Sequence, residues 1–412
     1  MNYFSRKDGE LYVEDIPIAD LAREHGTPLY IYSARTLRHH YQVFKDALGE
    51  MDHLICFAMK ANSNLSVLKL FFELGAGADI VSGGELFRGL RAGVDPSKVV
   101  YSGVGKTEDE IRDALTADIL MFNVESFQEL TVINDIADDM GKTARISVRV
   151  NPDVDPKTHP KISTGLKANK FGIDITGVID DYERAREQKN IQVMGVDCHI
   201  GSQLTEIGPF EDALKRLVEL IERLRQRDFD IRYLDFGGGL GITYESEEPP
   251  VPTEYARAIR EIAGNLGVTF ILEPGRVLVG NAAVLVTRVL YTKEAEKHFV
   301  IVDAGMNDLA RPAMYDSYHR IVPVMEKNSE IITADVVGPI CESSDYLAKQ
   351  RDIPRVVRDD LLAVESAGAY SFSMASNYNS RPRCAEIMVD GADFLVARKR
   401  ETYEDLIRGE EV

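Results

Sequence analysis

Lys60 is the residue around which the chemistry of this chain gathers. It follows the apolar run Leu54-Ile55-Cys56-Phe57, which reads as a buried strand, and it precedes the small polar residues Ala61-Asn62-Ser63-Asn64 of a turn. An amine at a strand end can reach an open pocket while its aliphatic stem stays packed. If burial lowers its pKa, it becomes a nucleophile towards a carbonyl, and a Schiff base is the natural product. The plainer reading is a lysine that reaches from a strand end to water, and for Lys60 alone that reading would win. Other segments reverse the order. Gly237-Gly238-Gly239, ahead of Leu240-Gly241, leaves backbone amides bare and permits the positive φ angles of an anion cradle. His199-Ile200-Gly201-Ser202 adds a hydroxyl, and Glu273-Pro274-Gly275-Arg276 adds a glycine amide beside a cation.

A lysine for a Schiff base, a phosphate cradle and an acid at the opposite rim together suggest pyridoxal phosphate. That cofactor works as an electron sink when its ring nitrogen stays protonated, and Glu273 is the carboxylate that could keep it so. His199 could lie flat against the ring; taken alone it would be a structural histidine. Cys341 is weakly informative, because free cysteines are usually inert core residues. Its polar neighbours Glu342-Ser343-Ser344-Asp345 argue against a core placement, and a thiol can serve as an acid near neutral pH.

These residues need elements to bring them together. Apolar runs at 54–60, 78–82, 99–102, 119–124, 146–150, 193–199, 233–236 and 269–272 alternate with helical patterns, which gives eight strands and the size of a (β/α)₈ barrel. An open doubly wound sheet has the same alternation. The polar residues decide between them, because they gather at the carboxyl end of nearly every strand: Lys60, Ser82, Ser102, Asn123 with Glu125, Arg149 with Asn151, His199 with Ser202, Gly237 to Gly239, and Glu273 with Arg276. A barrel brings all of those ends to one mouth, whereas an open sheet concentrates ligand groups at one switch point. The glycine triplet and the Glu-Pro-Gly-Arg segment then follow strands seven and eight, the usual phosphate site of a barrel. After Arg276, strand patterns recur with few helices between them, which predicts an all-β second domain. The expected fold is α/β, with a TIM-like barrel over residues 27–276 and a β-sandwich-like domain from residues 1–26 and 277–412.

The chain has 412 residues, enough for two cores, with a net charge of −19. Such an acid surface argues against nucleic acid as a partner. No apolar run reaches the length of a membrane span, and the first residues have no signal-peptide core. Four cysteines, Cys56, Cys198, Cys341 and Cys384, stand far apart with no metal-ligand spacing. The expectation is a cytoplasmic protein with no disulfide framework and no metal.

In order along the chain, Phe57-Ala-Met-Lys60-Ala-Asn62, His199-Ile-Gly-Ser202-Gln203, Gly237-Gly-Gly-Leu-Gly241, Glu273-Pro-Gly-Arg276, Gly338-Pro-Ile-Cys341-Glu-Ser-Ser-Asp345 and Gly368-Ala-Tyr370 resemble the fold-type III pyridoxal-phosphate decarboxylases over almost the whole length. Arg311-Pro-Ala-Met-Tyr315-Asp-Ser-Tyr-His319, the Cys341–Asp345 run and Ser376-Asn-Tyr378-Asn resemble the group within them that acts on diaminopimelate. The resemblance implies decarboxylation of meso-2,6-diaminopimelate to L-lysine and carbon dioxide, the last step of lysine biosynthesis. It implies that Lys60 carries the cofactor, that Ser202, Gly238, Gly239, Gly275, Arg276 and Tyr370 hold the phosphate, that Glu273 bonds the ring nitrogen and that His199 stacks on the ring. Cys341 is implied as the proton donor, and Arg276, Arg311, Tyr315, Glu342 and Tyr370 as substrate contacts. Active sites shared across a homodimer are implied as well, with Cys341 and Glu342 supplied by the other subunit. Residues 164–172 look like a mobile lid. Rival readings are a pyridoxal-phosphate carrier without turnover, which the second domain disfavours, and a racemase, which Glu273 disfavours. The nearest rival is an ornithine or arginine decarboxylase, which tends to carry aspartate where this chain has Glu342.

Overall fold

The computed structural model describes residues 2–155 and 170–411, so residues 164–169 of the expected lid lie outside the described residues. The chain forms two compact units: residues 41–242 with 248–277, and residues 1–40 with 243–247 and 278–412.

In the first unit eight strands alternate with helices. They are β1 (His53–Ala58), β2 (Gly77–Ile80), β3 (Val99–Tyr101), β4 (Met121–Val124), β5 (Ala144–Asn151), β6 (Ile191–Asp197), β7 (Tyr233–Asp235) and β8 (Thr269–Leu272). Each strand pairs in parallel with the next, and β8 pairs in parallel with β1, so the barrel is closed. Every residue of β2, β3 and β4 is buried. That is why these strands read as unbroken apolar runs: core covers one face and helices the other.

Capping starts the helices where the strands end. Asn64, Ser82, Thr107 and Ser126 each accept a backbone N–H of the first turn that follows, and Thr107 with Glu110 completes a reciprocal capping box. Short strand-to-helix connections of this kind leave the strand ends, rather than long loops, to line the mouth.

Side chains alternate along each strand, and the alternation builds the site. Cys56, Val100, Met121 and Ile271 pack together in one apolar cluster, with Tyr233 against it. Two positions further along those strands stand Ala58, Ser102, Asn123, Glu273 and Asp235. An apolar layer therefore supports a polar one, and the polar one lies at the carboxyl ends.

The second unit is β-rich. Its central strand, Ala283–Glu294, pairs antiparallel with Leu29–Ser33, His298–Val302 and Leu361–Val364, and Leu29–Ser33 pairs in parallel with Ala385–Asp390. Chain position groups 27–40 with the barrel, but Leu29–Ser33 is hydrogen-bonded on both edges inside this sheet and buried along its whole length. Several elements, Tyr346–Pro354 and Ala34–Leu48 among them, have no counterpart in the expected strands and helices. Tyr346–Pro354 lies at the end of the sheet with an exposed middle, so its polar Lys349-Gln350-Arg351 interrupts any strand pattern. Ala34–Leu48 is a helix whose three histidine and tyrosine rings in succession, His39-His40-Tyr41, obscure its period. Among the described residues no helix is long and apolar enough to cross a membrane.

Candidate active site

Lys60 lies in the single 3₁₀ turn Met59–Ala61 directly after β1. Its Nζ donates to Asp79 Oδ2 at 2.6 Å, and Asp79 is fully buried on β2. The sequence expectation was an amine tuned by burial; the structure adds a carboxylate that holds the ammonium in place. Asp79 was missed, although a charge inside the buried strand Gly77-Ala-Asp-Ile80 was a signal that could have found it.

Glu273 follows β8, the strand that pairs with β1 to close the barrel, and is buried. It ends a chain of hydrogen bonds through the barrel interior. Ser147 Oγ donates to Asn123 Oδ1 at 2.5 Å, and Asn123 Nδ2 donates to Ser102 Oγ and to Asp235 Oδ2, each at 3.0 Å. Ser102 Oγ is 3.5 Å from Glu273 Oε1, and the Gly237 amide donates to Asp235 Oδ1 at 3.0 Å. Oxygens of Asp197, Asp235 and Glu273 all lie within 4.8 Å of one another. Such crowding in a dry interior favours protons over charges. Burial pushes the Asp235 carboxyl up to about 6, against the Asn123 and Gly237 bonds. Burial, then the Asp235 and Asp79 charges, pushes Glu273 well above the usual carboxylate range, and Lys60 pulls it back. Of the pair, Glu273 keeps the proton. A cation beside it would reverse that.

Arg149 on β5 supplies the counter-charge, with Nη1 at 2.6 Å from Glu125 Oε1 and Nε at 3.9 Å from Asp197 Oδ2. His199 follows β6, and its Nδ1 accepts the Gly238 amide at 3.2 Å. Desolvation, then Arg149 and Lys60, hold its pKa well below the ordinary value. The ring is therefore neutral, with the proton on Nε2.

The glycine turn is required by packing. Gly237 and Gly239 have φ of +65° and +109°, where side chains are strained. A Cβ at Gly238 would run into the Glu273 carbonyl oxygen, and one at Gly239 would lie 2.5 Å from the Gly201 oxygen. Gly275 sits against Ala58 and Ala61, on either side of Lys60. Arg276 opens the short helix Arg276–Val279, and its Nη2 donates to Ser202 Oγ at 3.1 Å. Lys60, His199, Ser202, Gly238, Gly239, Glu273, Gly275 and Arg276 thus all belong to the carboxyl ends of one barrel.

This donor set fits pyridoxal phosphate. One primary amine and a buried acid, at the ends of neighbouring strands, share the mouth with a neutral ring and a turn of close-packed glycines next to a hydroxyl and a guanidinium. Lys60 could hold the carbonyl carbon, the Gly237–Gly239 turn with Ser202 and Gly275 the phosphate, and Glu273 the ring nitrogen.

The remaining expected residues lie in the β-rich unit. Cys341 and Glu342 are exposed on a tight loop, and the Cys341 amide donates to Asn379 Oδ1 at 2.7 Å. Asp345 is buried beneath that loop and accepts the Met306 and Ile340 amides at 2.6 and 2.7 Å. Arg311 and Tyr315 begin and end the helix Arg311–Tyr315. Tyr370 takes a positive φ of 54°.

Residues 34–280 match the family described as pyridoxal-dependent decarboxylase, pyridoxal binding domain. The chain is 50% identical over 407 residues to a diaminopimelate decarboxylase of Aquifex aeolicus, covering 98% of this chain and 96% of that protein. It is 52% identical over 409 residues to one of Vibrio cholerae, covering 98% of each. Among solved structures it is similar to diaminopimelate decarboxylase from Helicobacter pylori complexed with L-lysine, with a TM-score of 0.92 and 45% identity over 95% of this chain and 98% of that one. The chain belongs to the pyridoxal-dependent decarboxylases, in the group of the diaminopimelate decarboxylases.

Proposed function

We propose that the chain is a pyridoxal-phosphate-dependent carboxy-lyase that converts meso-2,6-diaminopimelate to L-lysine and carbon dioxide, the last step of lysine biosynthesis. The observation that carries this reading is the convergence of Lys60, His199, Glu273 and the Gly237–Gly239 turn at one barrel mouth. The full-length identity to diaminopimelate decarboxylases supports the choice of substrate. Bound there, pyridoxal phosphate supplies the electron sink for the carbanion left when carbon dioxide departs.

The chain's own residues do the rest. Lys60 would hold the carbonyl carbon of the cofactor, and Asp79 would hold the Lys60 amine whenever it is free. Glu273, held by Ser102 and the Asn123–Asp235 pair, keeps a proton on the ring nitrogen. His199 packs its neutral face on the ring. Ser202, Gly238, Gly239, the Gly275 and Arg276 amides and Tyr370 take the phosphate. Cys341 returns a proton to the carbon that lost its carboxylate. The distal end of the substrate carries a carboxylate and an ammonium: Arg276 and Arg311 suit the first, Glu342 the second, and Tyr315 and Tyr370 add hydroxyls.

The active sites are shared across a homodimer, with Cys341 and Glu342 acting in the other subunit's site. The enzyme is cytoplasmic; the four free cysteines, three of them buried, suit a reducing compartment.

The test is a substrate panel. Purified protein with pyridoxal phosphate is given meso-diaminopimelate, ornithine, arginine and lysine, and carbon dioxide and amine products are measured. The reading expects release from diaminopimelate with lysine formed in equal amount. Preferential release from ornithine or arginine would establish the other basic-amino-acid decarboxylase instead.

A further inference from the structure

Arg311 is buried, and so is His319 eight residues later. The helix Arg311–Tyr315 stops at Asp316, which turns left-handed at φ 50°, and the returning chain brings His319 back to Arg311. His319 Nδ1 lies 2.9 Å from the Glu365 carbonyl oxygen. A carbonyl only accepts, so Nδ1 carries the hydrogen. His319 Nε2 lies 2.9 Å from Arg311 Nη1, and a guanidinium only donates, so Nε2 offers its lone pair. The two bonds together select one state of the ring, the neutral imidazole with its proton on Nδ1. The Tyr244 ring completes the clamp: Arg311 Cζ stands 4.5 Å over its centroid, and its edge-to-face contact with His319 is 5.3 Å at 76°. Arg351 Nη1 donates to the His319 carbonyl at 2.8 Å and fixes the backbone.

The choice of a neutral acceptor has a consequence. An aspartate or glutamate in the same place would orient the guanidinium equally well but would cancel its charge. A neutral lone pair and an aromatic face orient it without setting a negative charge of their own against it. We propose that His319 is a positioning residue for substrate recognition: its neutral imidazole aims the Arg311 guanidinium at the substrate's distal carboxylate without neutralising it. This rests on the reading that Arg311 receives that carboxylate.

Two amide substitutions separate positioning from space filling. Glutamine at 319 places its amide where Nε2 stands and can still accept from Arg311. Asparagine is shorter: it keeps a donor for the Glu365 carbonyl and loses the acceptor for Arg311. Holoenzyme carrying His319→Asn, His319→Gln, Arg311→Ala or Arg311→Ala with His319→Asn is assayed for kcat and KM with meso-diaminopimelate, beside its melting temperature and cofactor absorbance. His319→Asn is expected to raise KM about 10- to 150-fold, the range for one bond to a charged group, with the smaller effect on kcat and no change in cofactor absorbance. His319→Gln is expected to stay close to wild type, and the double variant to be no worse than Arg311→Ala. If Arg311→Ala raises KM while His319→Asn and His319→Gln behave alike, the inference is overturned and the reading of Arg311 stands. If Arg311→Ala leaves KM unchanged, that reading falls and takes the inference with it.

Discussion

Glu342 and Arg311 differ in what surrounds them, and their substitutions should differ accordingly. Glu342 is exposed on its loop, whereas Arg311 is buried between Tyr244 and His319. If each meets a charged group of the substrate, losing one contact costs about 1.5–3 kcal/mol, or about 10- to 150-fold in kcat/KM. Glu342→Gln should impair diaminopimelate within that range, and Arg311→Ala should impair it more, because it removes a buried cation rather than an exposed anion. Both should keep the cofactor's visible absorbance. Steady-state kinetics beside sedimentation checks this: an intact oligomer with unchanged preference among diaminopimelate, ornithine and lysine would contradict the assignment. A second residue-scale contrast lies inside the barrel, where burial gives Glu273 a proton and the Asn123 and Gly237 bonds keep Asp235 closer to an ordinary carboxyl.

The elements matter here chiefly where they turn. The glycine turn after β7 packs directly on the segment after β8, since the Glu273 amide donates to the Gly237 carbonyl at 2.8 Å. Gly238→Ala would force the two apart at a cost of about 1–3 kcal/mol. Pyridoxal phosphate should bind more weakly by about tenfold or more, and the melting temperature of the cofactor-free protein should fall; unchanged affinity by titration would show that the turn does not carry the phosphate. How far the elements could be read from sequence follows from their surroundings. The barrel strands were legible because both faces are covered, which turns burial into unbroken apolar runs with polar residues only at their ends. Tyr346–Pro354 was not, because one side of it meets solvent. Among site residues, Lys60, His199, Glu273 and the glycines announce themselves by motif. Asp79 and Asp235 are single letters inside apolar strands; Asp79 meets Lys60 between neighbouring strands, and Asp235 meets Asn123 across the barrel interior. His319 meets Arg311 only because Asp316 ends a helix early, a turn that no helical or strand period reveals.

For the whole molecule, two consequences can be measured. The first is assembly. Lys60→Ala and Cys341→Ala should each be nearly inactive, and mixing them with subunit exchange should restore up to about a quarter of wild-type activity, since some heterodimers carry one intact site. No recovery despite proven exchange would place both residues in one chain's site. The second is pH. Burial pushes Asp235 up to about 6 and Asp308 up to about 7 in the folded protein. Unfolded, such carboxyls titrate near pH 4, as free aspartates do. Between those values the folded state binds more protons, so this share of stability is complete below about pH 4 and is lost as pH rises through 6 and 7. The melting temperature of cofactor-free protein should therefore fall from pH 5 to 8, and less steeply in Asp308→Asn. Equal slopes for the two proteins would show that Asp308 is ionised throughout.

Every assignment at the barrel mouth depends on Lys60 carrying the cofactor, and one measurement tests that directly. Holoenzyme is reduced with borohydride, digested, and the pyridoxyl-labelled peptide is sequenced by mass spectrometry. The account predicts a single label on Lys60, and loss of both the label and the visible absorbance in Lys60→Ala. A label on another lysine, or visible absorbance that survives in Lys60→Ala, would contradict it.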